Sequence, residues 1–281
     1  MRRTSAINYT QPVNWNSPIN RGLTAWWKVL PRWNGGLIWR DLCNKNHGIL
    51  TNMDPVTDWV VGSHLGGYSA LDFDGTNDRI VTTAATTTAG ITVAAWIYPR
   101  SFGGSSRGRI LSGGNPEVNI FYVDNVNVTS GFTFSQLAGG FGFPTTTNTI
   151  ILNTWQHVAA TVESGGTTAT MYLNGKNAGV VTGIILSAVN AWAIGGRVSA
   201  DDRNFDGMID DVMIFDGRSL NDNEIFSLYN DSILANPQRL NRISFRSGRQ
   251  VISIPSEVFQ RQFKLINNNS ALIGPSSQLI G

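Results

Sequence analysis

Three stretches of this 281-residue chain, 41 to 46, 72 to 78 and 201 to 211, are dense in Asp and Asn. A calcium ion needs six to eight oxygen ligands, which such loops supply, and this makes Asp41, Asn46, Asp206 and Asp210 the candidate metal ligands. The same residue types also close turns by bonding their own backbone, and that is the favoured role of Asp72, Asp206 and Asp210. Acid–base work would need a carboxylate pair, and Asp206, Asp210 and Asp211 are the nearest approach to one. Asp210 and Asp211 are neighbours on an expected strand and should therefore point to opposite faces, which does not suit shared catalysis. Gly-x-Ser-x-Gly, His-Glu-x-x-His and Cys-x-x-Cys are all absent. His47, His64 and His157 read as satisfied turn or strand residues rather than as bases.

Aromatic rings could stack on sugars. Trp15, Trp33, Trp39 and Trp59 fall in expected loops or near the start of the chain and are the better candidates for exposure, although packing against the arms is the favoured role even for these. Trp96, Trp155 and Trp192 lie inside expected strands and are assigned to the core.

The elements that would position these residues are mostly strands. ITVAAWIYP (91 to 99) is β-branched and aromatic and stops at a proline. WQHVAATVES (155 to 164) and TTATMYLNGK (167 to 176) alternate apolar and polar residues, with Gly165-Gly166 between them as a hairpin turn and Asn174-Gly175 as another. GMIDDVMIFDGR (207 to 218) reads as a strand. The uncharged run between Lys176 and Arg197 is broken by Gly, Ser, Thr and Asn, so two buried strands and a turn fit it better than a membrane span. One helix is expected within SLNDNEIFSLYNDS (219 to 232), capped by Asn221 with Glu224 three residues on, and packed through Ile225, Leu228 and Tyr229.

Charged residues make up only 14% of the chain, too few for a helical bundle or coiled coil, while nine Trp and thirteen Phe exclude intrinsic disorder. The net charge of +2 divides unevenly: residues 1 to 40 carry +6, residues 235 to 281 carry +5, and the body between carries −9. The basic residues of the second end include Arg239, Arg242, Arg246 and Arg249, followed by Phe263. Basic ends on an acidic body suit contact with neighbouring copies or with other proteins of an assembly. An acidic body without a recognisable binding motif argues against nucleic acid as a partner. Cys43 is the one cysteine, which excludes an intrachain disulfide and fits folding in a reducing compartment or a bacterium. No apolar segment follows the opening arginines, so no secretory signal peptide is seen and no membrane insertion is expected.

GLTAWW (22 to 27), RDLCNKNHGIL (40 to 50), LDFDGTNDRIV (71 to 81), ITVAAWIYP, TWQHVAATVESGGTTATMYLNGK (154 to 176) and IGGRVSADDRNFDGMIDDVMIFDGRSLNDNEIFSLY (194 to 229) occur in an order that resembles the laminin G and pentraxin-like branch of the concanavalin A-like lectin and glucanase superfamily. The resemblance implies an all-β jelly-roll sandwich of two antiparallel sheets over residues 22 to 232, with one short helix capping its C-terminal end. An N-terminal arm (1 to 21) and a basic, extended C-terminal arm (233 to 281) lie outside it. Glucanases of that superfamily carry a Glu-x-Asp-x-x-Glu strand that this chain lacks. A pentraxin-type calcium site would draw on Asn115-Pro116-Glu117 and on Gly195 to Ser199, where Arg197 and Val198 replace the acids, so no cofactor is expected, with calcium at another loop as the alternative. Asn115 joins Trp33, Trp39 and Trp59 as a candidate ligand-binding residue.

The expected function is therefore that of a non-catalytic structural or adhesive component of a particle. A bacteriophage virion protein of the head surface, tail or fibre, assembled in the cytoplasm and released with the particle, fits best. Its expected partners are other particle proteins or its own copies, reached through the arms, and glycans. A lone or cell-surface bacterial lectin is the alternative, and a glycoside hydrolase a more distant one.

Overall fold

The computed structural model describes residues 13, 15–29, 36–62, 64, 69–135 and 149–230, together with the backbone of a separate hairpin at 245–247 and 250–252. Along the chain run β1 (Leu23–Trp27), β2 (Ile38–Trp39), β3 (Gly48–Thr51), β4 (Trp59–Val61), β5 (Ser69–Asp74), β6 (Arg79–Thr82), β7 (Ile91–Pro99), β8 (Arg109–Gly113) and β9 (Val118–Asp124). There follow β10 (Gly131–Ser135), β11 (Gln156–Val162), β12 (Thr168–Leu173), β13 (Lys176–Thr182), β14 (Trp192–Ile194), β15 (Asp206–Asp216) and the helix α1 (Asp222–Asn230).

One antiparallel sheet has the order β13-β12-β11-β7-β15-β5-β4, and β1 pairs with the second half of β15 where β5 leaves off. The other has the order β10-β9-β8-β14-β6-β3-β2. Alternation along each strand sends one set of side chains between the sheets: Val93, Ala95 and Ile97 from β7, Val158, Ala160 and Val162 from β11, and Phe121, Val123, Phe132 and Phe134 from β9 and β10. Trp27, Trp39 and Trp192 fill the same layer. The result is the two-sheet, all-β jelly-roll type of sandwich that the sequence implied.

The outer face of the first sheet is organised in cross-strand rows. Tyr172, Ala159, Ala94, Met213 and Trp26 stand opposite one another across β12, β11, β7, β15 and β1. The two alanines leave a shallow floor on which Ile225 and Leu228 of α1 are buried. The helix begins as its sequence dictates, since the Asn221 side chain accepts from the Glu224 N–H and the Glu224 carboxylate accepts from the Asn221 N–H, each at 3.1 Å. Asn174 and Gly175, both at positive φ, make the tight turn between β12 and β13.

Two expectations are corrected. In the uncharged run Val181, Ile184, Leu186, Val189 and the strand β14 are buried, but β13 itself is the edge strand of its sheet and is largely exposed, because nothing pairs beyond it among the described residues. Residues 15–21, expected in an arm, contain a 3-10 turn (Pro18–Asn20) whose Ile19 packs against the outer core and whose carbonyls at 18, 19 and 21 accept from the Arg218 guanidinium. The chain divides by its internal contacts at Ala235, and residues 236–281 form a separate unit whose described part is the hairpin β16 (Phe245–Ser247) and β17 (Gln250–Ile252). No helix among the described residues is long and apolar enough to cross a membrane.

Candidate functional site

Ile209, Val212 and Ile214 of β15 all enter the core, a spacing of three and then two. That slip marks a β-bulge: the register against β7 breaks between Asp210 and Met213, and Asp211 takes a φ of 55°. The extra residue places both carboxylates on the outer face, which corrects the expectation that they point apart. Val29 N–H donates to Asp210 Oδ1 at 3.0 Å, Lys28 Nζ lies 2.5 Å from Asp211 Oδ2, and the Trp26 indole N–H donates to Asp211 Oδ1.

His64 completes the cluster, with Nδ1 3.6 Å from Asp210 Oδ2 and Nε2 3.8 Å from Asp211 Oδ2. Around it stand aromatic rings. Trp96 belongs to the row His157, Trp96, Asp210 across β11, β7 and β15; Tyr229 stacks against Trp96 at 5.6 Å, and Trp155 meets His64 edge-on at 6.0 Å. Trp96 and Trp155, assigned to the core from sequence, are therefore half-buried on the outer face. Burial lifts the Asp210 carboxyl to about 7, opposed by Lys28 and assisted by Asp211. Burial likewise lowers His157 to about 4, with Asp211 opposing. A proton can reside on Asp210 near neutrality, but its side chain and those of Asp211 and His64 are 2% exposed or less, so a sugar ring does not reach them in this arrangement.

The open site on the same face lies one row further along. Thr170, Thr161 and Thr92 stand opposite one another across β12, β11 and β7. Thr92 is consumed in closing the turn before the helix, accepting from Leu220 N–H and donating to Arg218 O, both at 2.9 Å. Thr161, Thr168, Thr170 and Tyr172 then line a groove of about 700 Å³ with Glu163 and Asp222. Tyr172 donates its phenolic proton to Asp222 Oδ1 at 2.8 Å; burial, and then this bond, raise its pKa to about 12. Each threonine hydroxyl offers one donor and two acceptor positions, and the carboxylates only accept. That is a lining for a polyhydroxylated ligand.

None of the residues selected from sequence lines this groove. Trp39 and Trp59, candidates for exposure, are instead 1% and 8% exposed and belong to the core. In β2 the alternation turns Ile38 outward and Trp39 inward, while Trp59, at the start of β4, is buried and donates its indole N–H to Gly36 O at 3.1 Å. Trp15 is exposed, and Trp33 lies outside the described residues. Asn115 is exposed on a separate groove of about 450 Å³ with Ser187 and Asn190. Of the terminal residues, Arg239, Arg242, Arg249 and Phe263 lie outside the described residues, and Arg246 is placed only as backbone in β16.

The metal candidates are engaged elsewhere. Asp41 accepts four backbone N–H groups, from Trp26 and Cys43 on one oxygen and Lys45 and Asn46 on the other. Asn46 donates its amide to Thr24 O and receives the Trp27 indole N–H on its carbonyl. Asp206 and Asp72 are bridged by the Arg100 guanidinium at 2.9 and 2.5 Å. Among the described residues no three acidic, His or Cys side chains converge as a metal would need, and these donor sets do not fit calcium. His47 accepts the Asp41 N–H at 3.1 Å and so closes its turn.

Comparison with curated proteins finds no significant match. Among solved structures, domain 4 of AbnA, a GH43 extracellular arabinanase from Geobacillus stearothermophilus in complex with arabinotriose, is 17% identical with a TM-score of 0.54, over 74% of this chain and 98% of that one. Trypanosoma rangeli sialidase in complex with sialic acid is 15% identical with a TM-score of 0.54, over 76% of this chain, which spans about a third (34%) of the sialidase. These likenesses concern the fold. The laminin G-type family model described as the concanavalin A-like lectin/glucanases superfamily matches residues 74–226, more than half of the sequence, and the chain belongs to that superfamily.

Proposed function

We propose that this chain is a non-catalytic carbohydrate-binding sandwich that serves as a surface component of a larger particle. The groove between the threonine rows and the start of α1 carries the reading. Its hydroxyls stand on paired strands and its Tyr172–Asp222 bond is already made, so little ordering cost remains when a sugar binds. The arabinanase domain, similar in fold, is known in complex with arabinotriose, which makes arabinotriose a sensible first probe. The non-catalytic character is supported by the burial of Asp210 and Asp211 beneath His64. The engaged state of the metal candidates supports binding without calcium.

The particle role is supported by charge: +6 and +5 at the two ends against −9 between them favours contact between copies or with other assembly proteins. A bacteriophage virion is the particle we propose. Calorimetric titration with arabinotriose and a panel of neutral oligosaccharides tests the groove. Binding that weakens about tenfold in Thr170→Val, with no release of reducing ends, is expected. Absence of any saccharide binding at about 10 mM would overturn the reading. Sedimentation of the full chain tests assembly: a defined oligomer is expected, and a monomer at all concentrations would favour a lone lectin.

A further inference from the structure

The outer face of the second sheet carries a cluster of guanidinium groups. Arg109 of β8 stands opposite Tyr122 of β9, and its guanidinium lies 4.6 Å over the Tyr122 ring. Arg109 is fully buried and donates to both oxygens of Glu117, at 2.7 and 3.2 Å, and to Arg107 O at 3.0 Å. Arg197 Nε lies 3.2 Å from the same Glu117, and Arg197 Nη1 donates to Asp202 at 2.7 Å. Arg203 comes next, with Nε 3.8 Å from Asp202 and with Nη1 buried and without a hydrogen-bond partner in the structure. Arg107 Nη2 donates to Asn127 at 3.1 Å, while its Nε also lacks a hydrogen-bond partner.

Three guanidinium groups, of Arg109, Arg197 and Arg203, thus share the two carboxylates of Glu117 and Asp202, in a body whose overall charge is negative. The arrangement is imposed by the backbone and not gathered by Glu117. Arg109 N–H donates to Arg203 O and Gly104 N–H to Asn204 O, both at 2.9 Å, and Arg203 sits at a φ of 59°. A Cβ at Gly104 would come within 2.6 Å of Arg203 N, so the two loops meet too closely to spread. Arg203 loses some of its affinity for its proton through burial and then through Arg109. Its side chain is 23% exposed and that of Arg197 25%, which leaves two charged forks at the surface.

We propose that Arg197 and Arg203, backed by Arg109, bind an oxyanion carried by a glycan. Forked guanidinium donors match carboxylate and phosphate oxygens, and an anion would relieve the crowding of like charge. The shared chemistry is an oxyanion group, and its two sources are the carboxylate of an acidic sugar and a sugar phosphate ester. The inference rests on the carbohydrate-binding reading only for the scaffold that carries the charge, and the site is separate from the threonine groove.

The test titrates the full chain with trigalacturonate, with neutral galactotriose and with glucose 6-phosphate, in wild type, Arg203→Gln, Arg203→Lys and Thr170→Val. One or both acidic probes should bind, about tenfold more weakly in Arg203→Gln and with partial recovery in Arg203→Lys, while Thr170→Val changes their affinity by less than about twofold. Which acidic probe binds identifies the source of the oxyanion. Equal binding of acidic and neutral probes, acidic binding that is indifferent to Arg203→Gln with the melting temperature unchanged, or no acidic binding at about 10 mM would overturn the proposal. Loss of neutral-sugar binding alone would count against the groove and leave this site standing.

Discussion

His64 lies flat on Trp96, with ring centroids 4.1 Å apart and planes 6° from parallel, and the same imidazole spans the carboxylates of Asp210 and Asp211. One side chain from the 62–69 connection therefore covers both the bulge and the aromatic row beside it. Removing the ring by His64→Ala should cost about 1 kcal/mol in stacking and open the two carboxylates to water. Urea denaturation combined with the pH profile of stability reads both effects; an unchanged midpoint and profile would show that His64 is not a cover.

The Asp210 carboxyl, raised to about 7, and His157, lowered to about 4, pull the pH dependence in opposite directions. Between about pH 4 and 7 the folded protein holds a proton on Asp210 that the unfolded chain has released, so this group makes stability fall as pH rises. His157 is neutral in the fold where the unfolded chain binds a proton, so below about 6.5 it makes stability fall as pH drops. Asp210→Asn should therefore gain on wild type steadily from pH 4 to 7, by up to about 4 kcal/mol. His157→Asn should gain most near pH 4 and least near 7. Parallel stability curves for all three proteins would refute both assignments.

Lys28 and Asp211 form a buried ion pair, side chains 6% and 0% exposed. Lys28→Met leaves the Asp211 charge buried without the ammonium and should cost about 3–5 kcal/mol, whereas Lys28→Met with Asp211→Asn should recover much of that loss. A double-mutant cycle in chemical denaturation measures the coupling, and additive effects would show that the pair is not coupled.

Gly175 sits at a φ of 76°, and a Cβ there would come within 2.9 Å of Tyr229 on α1. Gly175→Ala should cost at least about 1 kcal/mol in the turn and also displace Tyr229 from Trp96. Near-ultraviolet circular dichroism reports the second effect; a lost midpoint with an unaltered aromatic spectrum would confine the damage to the turn.

Saccharide binding in the threonine groove should be unaffected by a chelator, because Asp41, Asp72 and Asp206 already hold backbone N–H groups or Arg100. Titration with and without EDTA, then with added calcium, is the check. A calcium-dependent affinity would place a metal where the described residues offer no cluster.

Local chemistry made the elements legible. The strand Ile91–Pro99 ends at the proline that stops it, Asn174-Gly175 makes the turn its φ freedom allows, and Asn221 with Glu224 caps the helix. The buried cluster was hidden by a single residue. Strict alternation sends Asp210 and Asp211 to opposite faces, and only the spacing Ile209, Val212, Ile214 betrays the bulge that unites them. Trp96 was misread for a related reason. A strand covered on both faces shows its aromatic residues equally well to the core and to the helix outside it, and Ala94 with Ala159 marks the second face only once the pairing is known. The guanidinium cluster joins β8, the β8–β9 turn and the 197–203 loop, which are neighbours through tertiary contact alone.

Leu23, at the start of β1, is paired with Phe215, near the end of β15. The first and last strands of the sandwich are thus hydrogen-bonded neighbours, although nearly two hundred residues separate them in the chain. A sheet whose first strand pairs with its last cannot be completed until almost the whole sandwich has been made, so its closure is a late event in folding.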